Sequence, residues 1–121
     1  TTYHLRHSSE WTIRLGDGTE ESHERTQNAV NKLWRFTDEL FEMNDVDTQL
    51  IDAGIAADLS VIKKKWSEKV NAVFEKATLA IPDATNIYMS KGGINGNHTE
   101  HLGYLLAEMQ FVPRAYPDAR W

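Results

Sequence analysis

The 121-residue sequence contains no cysteine, which excludes disulfide bonds, thiolate metal ligands and cysteine nucleophiles. It also lacks an apolar run near the ~20 residues of a membrane span, and residues 1–6 lack the apolar core of a signal peptide. Basic residues are few, 13 against 18 acidic ones, giving a net charge of −5. Nucleic acids and anionic membranes require a basic surface. We therefore expect a soluble, cytoplasmic domain with neither as a partner.

No segment shows the period-two alternation of a strand, and apolar residues recur instead at helical spacing. A first helix is predicted over residues 3–15, ending at the turn Gly16-Asp17-Gly18. A second is predicted from the N-cap Thr19 to about Met43. A short turn over Thr48–Ala53 is predicted in the acidic loop that follows. The apolar stripe of the second helix is predicted to be Val30, Leu33, Trp34, Thr37, Leu40 and Phe41.

The C-terminal half of the sequence predicts two more helices separated by a long loop. Asp58 is the predicted N-cap of the third helix. Its stripe is predicted to be Leu59, Ile62, Trp66, Val70, Val73, Phe74 and Ala77. Residues 79–96 contain Pro82 and three glycines and predict a long irregular connection. The fourth helix is predicted to open with a capping box, Asn97 with Glu100, and to end at Pro113. The sequence therefore predicts an all-α protein.

The five histidines do not fit the pattern of a di-iron bundle, which needs a Glu from each of two helices and a Glu-x-x-His pair from two others. Only His23 has a glutamate three residues earlier, Glu20, and that residue falls in the first turn of a helix. We therefore expect this pair to have a structural or surface role. His4, His7 and Glu10 share a helix face, which we expect to lie against a partner. The sequence predicts no metal ligands, no cofactor and no catalytic residue.

Two alternatives remain open from the residues themselves. His98 and His101 with Glu108 are the candidate ligands of an autonomous metal hydrolase or oxidase, although Glu108 lies two helical turns beyond His101. The glycine-rich segment 92–96, next to Lys91, suggests either backbone amides that approach a phosphate or a flexible loop that seats a helix start. The second role is favoured.

Several longer runs resemble the C-subunit family of ring-1,2-phenylacetyl-CoA epoxidase, also called phenylacetate-CoA oxygenase. The runs are residues 3–7, 14–19, 31–37, 39–41, 98–103 and 106–110, together with Arg114, Pro117 and Trp121. The resemblance covers essentially the whole chain, but family members are about twice as long. It implies that residues 1–121 are the C-terminal half of a single ferritin-like helical domain, with a long loop before the last helix.

The resemblance also implies a function in aerobic phenylacetate degradation. The family's C subunit is a non-catalytic structural subunit of the epoxidase. It supports the di-iron catalytic A subunit alongside other epoxidase subunits, and helps form the surface that receives the CoA ester, phenylacetyl-CoA. Carried over by position, the substrate-binding segment is Thr48, Gln49 and Leu50. If these residues open a short helix, their free backbone amides can bond the amides of the pantetheine arm.

Half of a bundle leaves the predicted apolar stripes without facing helices. We therefore expect self-association, with two copies rebuilding a bundle around Trp34 and Trp66. Trp121, at the last position, is expected to dock onto another surface.

Overall fold

The computed structural model describes residues 1–120, so Trp121 and the docking predicted for it lie outside the described residues. Residues 1–120 form five α-helices and three short 3-10 turns, with no strand, which confirms the all-α prediction. The helices are α1 (Thr2–Gly16), α2 (Glu20–Leu33), α3 (Asp45–Asp52), α4 (Leu59–Lys76) and α5 (His101–Ala115). None of these helices has the length and apolar character needed to span a bilayer.

Helices α1 and α2 form a hairpin, and α4 packs across α1. The hairpin turns at Asp17–Thr19, where the Thr19 hydroxyl accepts a hydrogen bond from the Ser22 N–H at 3.2 Å, as predicted for an N-cap. The inner face of α1 consists of Ser9, Thr12, Ile13 and the buried Gly16. This small-residue face allows the last turn of α1 to lie directly against the C-terminal end of α4.

The second helix differs from its prediction because α2 ends at Leu33 rather than near Met43. Two 3-10 turns follow, Trp34–Phe36 and Asp38–Phe41. The Thr37 hydroxyl donates to the Trp34 carbonyl at 2.8 Å, a local side-chain bond that competes with the regular helical ladder. The tighter turn changes the direction in which the following side chains point.

An aromatic cluster forms where these 3-10 turns meet α4. The ring centroids of Trp34 and Trp66 lie 5.8 Å apart, those of Phe41 and Trp66 lie 5.3 Å apart, and Phe74 lies 6.0 Å from Trp34. These four residues are half-buried, as the predicted stripes require. The same prediction is wrong for Leu33 and Leu40, which are 62% and 61% exposed. The switch to 3-10 geometry turns Leu40 away from α4.

Helices α3 and α4 begin with well-formed caps. Asn44 and Asp47 make a capping box at α3, which starts three residues before the predicted turn at Thr48–Ala53. Asp58 caps α4 as predicted and accepts from the Ser60 N–H at 2.7 Å. The predicted α4 stripe is inward-facing except for Ile62, which is 40% exposed.

Residues between α4 and α5 follow the predicted irregular path but are tied to the rest of the chain. Leu79 is buried, and the Ala80 N–H donates to the Gln27 side-chain oxygen at 2.8 Å. Further along, the Ser90 N–H donates to the Arg35 carbonyl at 2.8 Å. These bonds hold the connection, whose one regular element is the 3-10 turn Gly93–Asn95, against α2 and the first 3-10 turn.

Both predicted boundaries of the last helix are wrong. The Asn97 N–H donates to the Gly92 carbonyl at 2.9 Å, so it closes the preceding loop, and α5 starts at His101 with no side-chain cap. Pro113 lies inside α5 instead of ending it. Proline removes its own N–H donor and crowds the carbonyl four residues earlier, but the Tyr116 N–H still bonds the Val112 carbonyl at 3.0 Å. The helix therefore continues to Ala115.

Candidate functional site

The predicted substrate segment lies on α3. Thr48, Gln49 and Leu50 occupy its middle and are all exposed. The Thr48 N–H donates to the Asn44 carbonyl at 3.1 Å, because the helix already begins at Asp45. The Asn44 side chain accepts from the N–H groups of the two residues before Thr48, at 2.9 and 3.1 Å.

The expectation of free backbone amides at these three positions is therefore wrong. The capping box satisfies the amides that a helix start would otherwise offer. Only side chains remain for a ligand, namely the Thr48 hydroxyl, the Gln49 amide and the partly exposed Leu50. The assignment of this segment to substrate stays a prediction.

His23 has a structural role, as expected. Its Nδ1 lies 2.7 Å from the Gly16 carbonyl oxygen, and because that oxygen can only accept, Nδ1 donates. The Thr78 hydroxyl donates to the same oxygen at 3.3 Å. Thr78 has a φ of 57°, in the left-handed region, where it ends the turn after α4. His23 therefore joins α2 to the end of α1, and Thr78 joins the end of α4 to the same carbonyl.

The outer face of α1 carries a row of exposed rings that we call the aromatic stripe: Tyr3, His7 and Trp11. Their ring centroids are 5.9 Å apart for Tyr3 and His7, and 6.3 Å apart for His7 and Trp11. The Arg6 guanidinium lies 5.7 Å from the Tyr3 ring centre. Tyr3 and Trp11 are 61% and 49% exposed, on the side of α1 opposite its packed face.

The structure does not assemble the triad on which the metal-enzyme alternative depends. His98 and His101 lie beside Phe36 and Glu39, around the start of α5, while Glu108 does not line that pocket. Within residues 1–120, no group of three His, Asp or Glu side chains is placed to hold a metal ion. The geometry therefore gives the alternative no support.

Four of the six backbone N–H groups of residues 92–97 already have partners within the protein. The Gly92 N–H already donates to the Glu42 carboxylate at 2.8 Å. The N–H groups of Asn95, Gly96 and Asn97 bond to carbonyls within the loop. A carboxylate bound at the loop's first amide also opposes an anion there, so the geometry gives the phosphate alternative no support.

Arg35 is a feature that the sequence pattern did not single out. Its guanidinium lies between two rings, 5.2 Å from the centre of Phe36 and 5.1 Å from that of Tyr88. Its Nε is buried without a hydrogen-bond partner among residues 1–120. The backbone carbonyl of Arg35 holds Ser90, so this residue fixes the loop before α5. In sequence, Arg35 is a single arginine after an apolar helical stripe. Such an arginine is usually exposed on the surface, so the sequence offered no reason to expect this role.

The two carboxyl groups whose pKa lies below its ordinary value, Asp58 and Asp83, cap a helix and a turn. Hydrogen bonds from the Ser60 hydroxyl and backbone hold the pKa of the Asp58 carboxyl below its ordinary value. Those from Thr85 do the same to the pKa of Asp83. The Asp38 carboxylate instead pairs with Lys63 at 2.9 Å, between the second 3-10 turn and α4. These carboxylates stabilise the fold and do not form a site for acid–base chemistry.

This helical architecture is a ferritin-like bundle, and it agrees with a comparison against known families. The family described as "Phenylacetic acid catabolic protein" matches residues 1–121, and the chain belongs to this family. It is 46% identical over 119 residues to the C subunit of the 1,2-phenylacetyl-CoA epoxidase of Escherichia coli strain K12. The match covers 98% of this chain and 47% of that relative, so the chain spans about half the relative's length. The resemblance seen in the sequence is confirmed.

Proposed function

We propose that this chain acts as a non-catalytic structural subunit of a cytoplasmic phenylacetyl-CoA epoxidase in aerobic phenylacetate degradation. The observation that carries the proposal is the 46% identity, over 98% of the chain, to a protein named as the C subunit of that epoxidase. In the proposal, residues 1–121 correspond to the C-terminal half of a single ferritin-like domain. The absence of cysteine suits a reducing compartment.

The placement of the ligand-type residues supports a structural role. Ferritin-like di-iron sites draw carboxylates and Glu-x-x-His pairs from facing helices. Here His23, which has the only Glu-x-x-His spacing in the sequence, bonds a backbone carbonyl instead. The remaining histidines lie on exposed or loop surfaces. In the proposal, the catalytic A subunit supplies the di-iron centre, and this chain supplies packing surface.

The aromatic stripe on α1 is the surface we assign to the catalytic subunit. Tyrosine and tryptophan are enriched at the centres of protein interfaces because they bury a large area with few rotatable bonds. Tyr3, His7 and Trp11 are fixed in a row by ring contacts and arginine stacking, so little side-chain entropy is lost on binding. The polar neighbours His4 and Glu10 frame this row, in keeping with the face expected to meet a partner.

The CoA ester is the substrate of the proposed assembly, and Thr48, Gln49 and Leu50 are the residues we assign to it. Because the α3 amides are occupied, this contact runs through side chains. The Thr48 hydroxyl and the Gln49 amide can pair with the amides of the pantetheine arm. Leu50, 37% exposed, offers an apolar contact beside them.

The test is co-purification with the catalytic subunit. We expect the chain alone to bind no stoichiometric iron and to have no epoxidase activity, and the mixture to form a stable complex. Trp11→Ala should weaken the complex at least about tenfold, since a buried interfacial tryptophan is a typical hot spot. Val61→Ala, an exposed position on α4, is the matched control and should have no effect.

Two outcomes would refute the proposal. One is an isolated chain that takes up two irons and oxidises phenylacetyl-CoA. The other is a chain that does not bind the catalytic subunit at micromolar concentrations while circular dichroism shows it to be helical. Equal effects of Trp11→Ala and Val61→Ala would refute only the assignment of the aromatic stripe.

A further inference from the structure

A small polar cavity lies between the first 3-10 turn and the loop that precedes α5. Its volume is about 180 Å³, and its lining includes five side chains that carry hydrogen-bond donors: Arg35, Ser90, Lys91, His98 and Thr99. Pockets for whole small molecules measure about 300–1,000 Å³. A cavity of this size therefore suits one small polar group of a ligand. We call it the Arg35 cavity.

The positive charge of Arg35 has no carboxylate partner within residues 1–120. Its guanidinium lies between the rings of Phe36 and Tyr88, and its buried Nε makes no hydrogen bond there. The ion pairs formed among residues 1–120 include neither Arg35 nor Lys91. In the described part of the chain, the Arg35 cavity therefore contains two cations that form no ion pair.

The 3-10 turns explain why Glu39 does not pair with Arg35. Residues four apart lie side by side on a regular helix, so a continuous α2 would bring these two side chains together. The chain instead forms the 3-10 turns Trp34–Phe36 and Asp38–Phe41, and the Glu39 carboxylate lies over Gly93, where a built Cβ would be 2.9 Å from its Oε2. Glu39 still lines the cavity, so its charge opposes an anion there.

The Ser90 hydroxyl points to a ligand independently of Arg35. Ser90 is only 7% exposed, and its backbone N–H bonds to the Arg35 carbonyl, but its hydroxyl makes no hydrogen bond within residues 1–120. Hydroxyl groups that are buried in proteins normally have a partner. Because Ser90 lines the Arg35 cavity, an acceptor bound in the cavity would supply that partner.

We propose that the Arg35 cavity binds a phosphate group through the side chains of Arg35, Ser90 and Lys91. A phosphate monoester carries close to two negative charges and three acceptor oxygens at pH 7, which match two cations and a hydroxyl donor and outweigh the single charge of Glu39. The planar guanidinium of arginine donates two parallel hydrogen bonds to phosphate oxygens. This site uses side chains and does not depend on the backbone amides of residues 92–97.

Two sources of phosphate share this chemistry, namely free phosphate and the 3′-phosphate of a CoA ester. The second source rests on the proposed function, in which α3 contacts the ester. The Gly92 N–H, next to Lys91, bonds to the Glu42 carboxylate, three residues before α3 begins at Asp45. This bond places the Arg35 cavity near the start of the helix that carries the proposed substrate segment.

Isothermal titration calorimetry of the chain with inorganic phosphate tests the site directly. We expect binding at millimolar concentrations, and Lys91→Gln and Ser90→Ala should each weaken it at least about threefold, because each removes a hydrogen bond to the anion. Glu39→Gln should strengthen binding, because it removes the opposing charge, and a variant that only disturbed the fold would not do so. Lys64→Gln, at an exposed position of α4 outside the cavity, is the matched control and should have no effect.

Arg35→Lys tests the arginine itself, since it keeps the charge but removes the planar fork. It should weaken phosphate binding at least about tenfold, because a bidentate hydrogen bond to phosphate is lost. Circular dichroism checks that this variant remains helical. The Lys91 and Ser90 variants test the same site if Arg35→Lys does not fold.

CoA and dephospho-CoA, which lacks the 3′-phosphate, distinguish the two sources. If the cavity holds the phosphate of the ester, CoA should bind at least about tenfold more tightly than dephospho-CoA, and Lys91→Gln should reduce this difference. Equal binding of the two, with phosphate binding retained, would assign the cavity to free phosphate. These titrations do not include the catalytic subunit, so a failed phosphate site and a failed epoxidase complex are separate results.

Three results would overturn the proposal. One is a helical chain that binds no phosphate at millimolar concentrations. Another is an equal effect of Lys91→Gln and Lys64→Gln, which would show an attraction that is not confined to the cavity. The third is equal binding of acetate and phosphate, which would show a site for any anion, including a carboxylate from another protein segment.

Discussion

Gly16 lies where α1 crosses the end of α4, and it leaves no room for a side chain. A Cβ built there would collide with the carbonyl oxygen of Ala77 and lie 2.8 Å from the Ala77 Cβ and 3.0 Å from the Leu79 Cγ. Ala77 and Leu79 are the buried apolar residues among residues 1–120. The Gly16 carbonyl also accepts the hydrogen bond from His23. A methyl group at this position therefore disturbs the centre of the fold.

We expect Gly16→Ala to lower the free energy of unfolding by about 2 kcal/mol. Overpacking a filled core costs about 1–3 kcal/mol, and the neighbour here includes backbone, which cannot move aside as a side chain tip can. Alanine regains up to about 1 kcal/mol of helix propensity. If α1 shifts away from α4, the bond from His23 also weakens, which adds about 1 kcal/mol of destabilisation.

The measurement is urea unfolding followed by circular dichroism at a fixed chain concentration. Gly103→Ala is the matched control, because a Cβ there has no heavy atom within 4 Å and the residue lies inside α5. This control should raise stability by up to about 1 kcal/mol. If both variants were equally stable, the close crossing of α1 and α4 at Gly16 would be refuted.

Three further predictions use the same assay. Trp66→Ala should cost about 3 kcal/mol, because its ring packs between Trp34 and Phe41; a loss below about 1 kcal/mol would contradict its place in the aromatic cluster. His23→Ala should cost about 1 kcal/mol through the lost bond to Gly16, and no measurable change would contradict the helix-joining role. Asp58→Ala should destabilise the chain at pH 7. Hydrogen bonds lower the pKa of Asp58 in the folded state, so its contribution is present above the unfolded value near about 4 and is lost as pH falls through the lower folded value. A pH-independent difference between this variant and the unchanged chain would be inconsistent with that cause.

The helices and several of their caps were readable from local pattern alone. Thr19 and Asp58 cap α2 and α4 as their residue types predict. The stripe of α4 is correct at all positions but Ile62, because a regular helix keeps the 3.6-residue period along its whole length. The resemblance over the whole chain also predicted the family, and the comparison with known proteins confirmed it.

Local pattern failed where backbone geometry departs from a regular helix. The bond from Thr37 to Trp34 tightens the chain into 3-10 turns, so Leu40 is exposed although its spacing fits the stripe. Asn97 has the residue type of a cap but closes the glycine loop instead. Whether Thr37 continues the helix and whether Asn97 caps one both depend on competition between two local hydrogen bonds. Residue spacing does not show which of the two bonds forms.

The candidate site shows the same division. Counting Glu-x-x-His pairs separates this sequence from a di-iron pattern, because that pattern is a fixed spacing on one helix face; the expectation that the chain holds no iron stays a prediction. The free amides expected at Thr48 were wrong because Asn44, four residues earlier, starts α3 sooner and fills them. The role of Arg35 was invisible, because its partners Tyr88 and Ser90 are more than fifty residues away in sequence.

The amino-acid sequence by itself determined that this chain is helical, acidic and a member of its family, because helix period, net charge and family resemblance are properties of residue order. Only the tertiary structure decided which apolar faces are covered. It showed that, within residues 1–120, α1, α2 and α4 pack around Gly16 and Ala77, while α5 and the groove between α2 and α4 both remain open. Burial depends on how distant segments meet in space. An apolar stripe has the same spacing in the sequence whether the segment that covers it belongs to the same chain or to another.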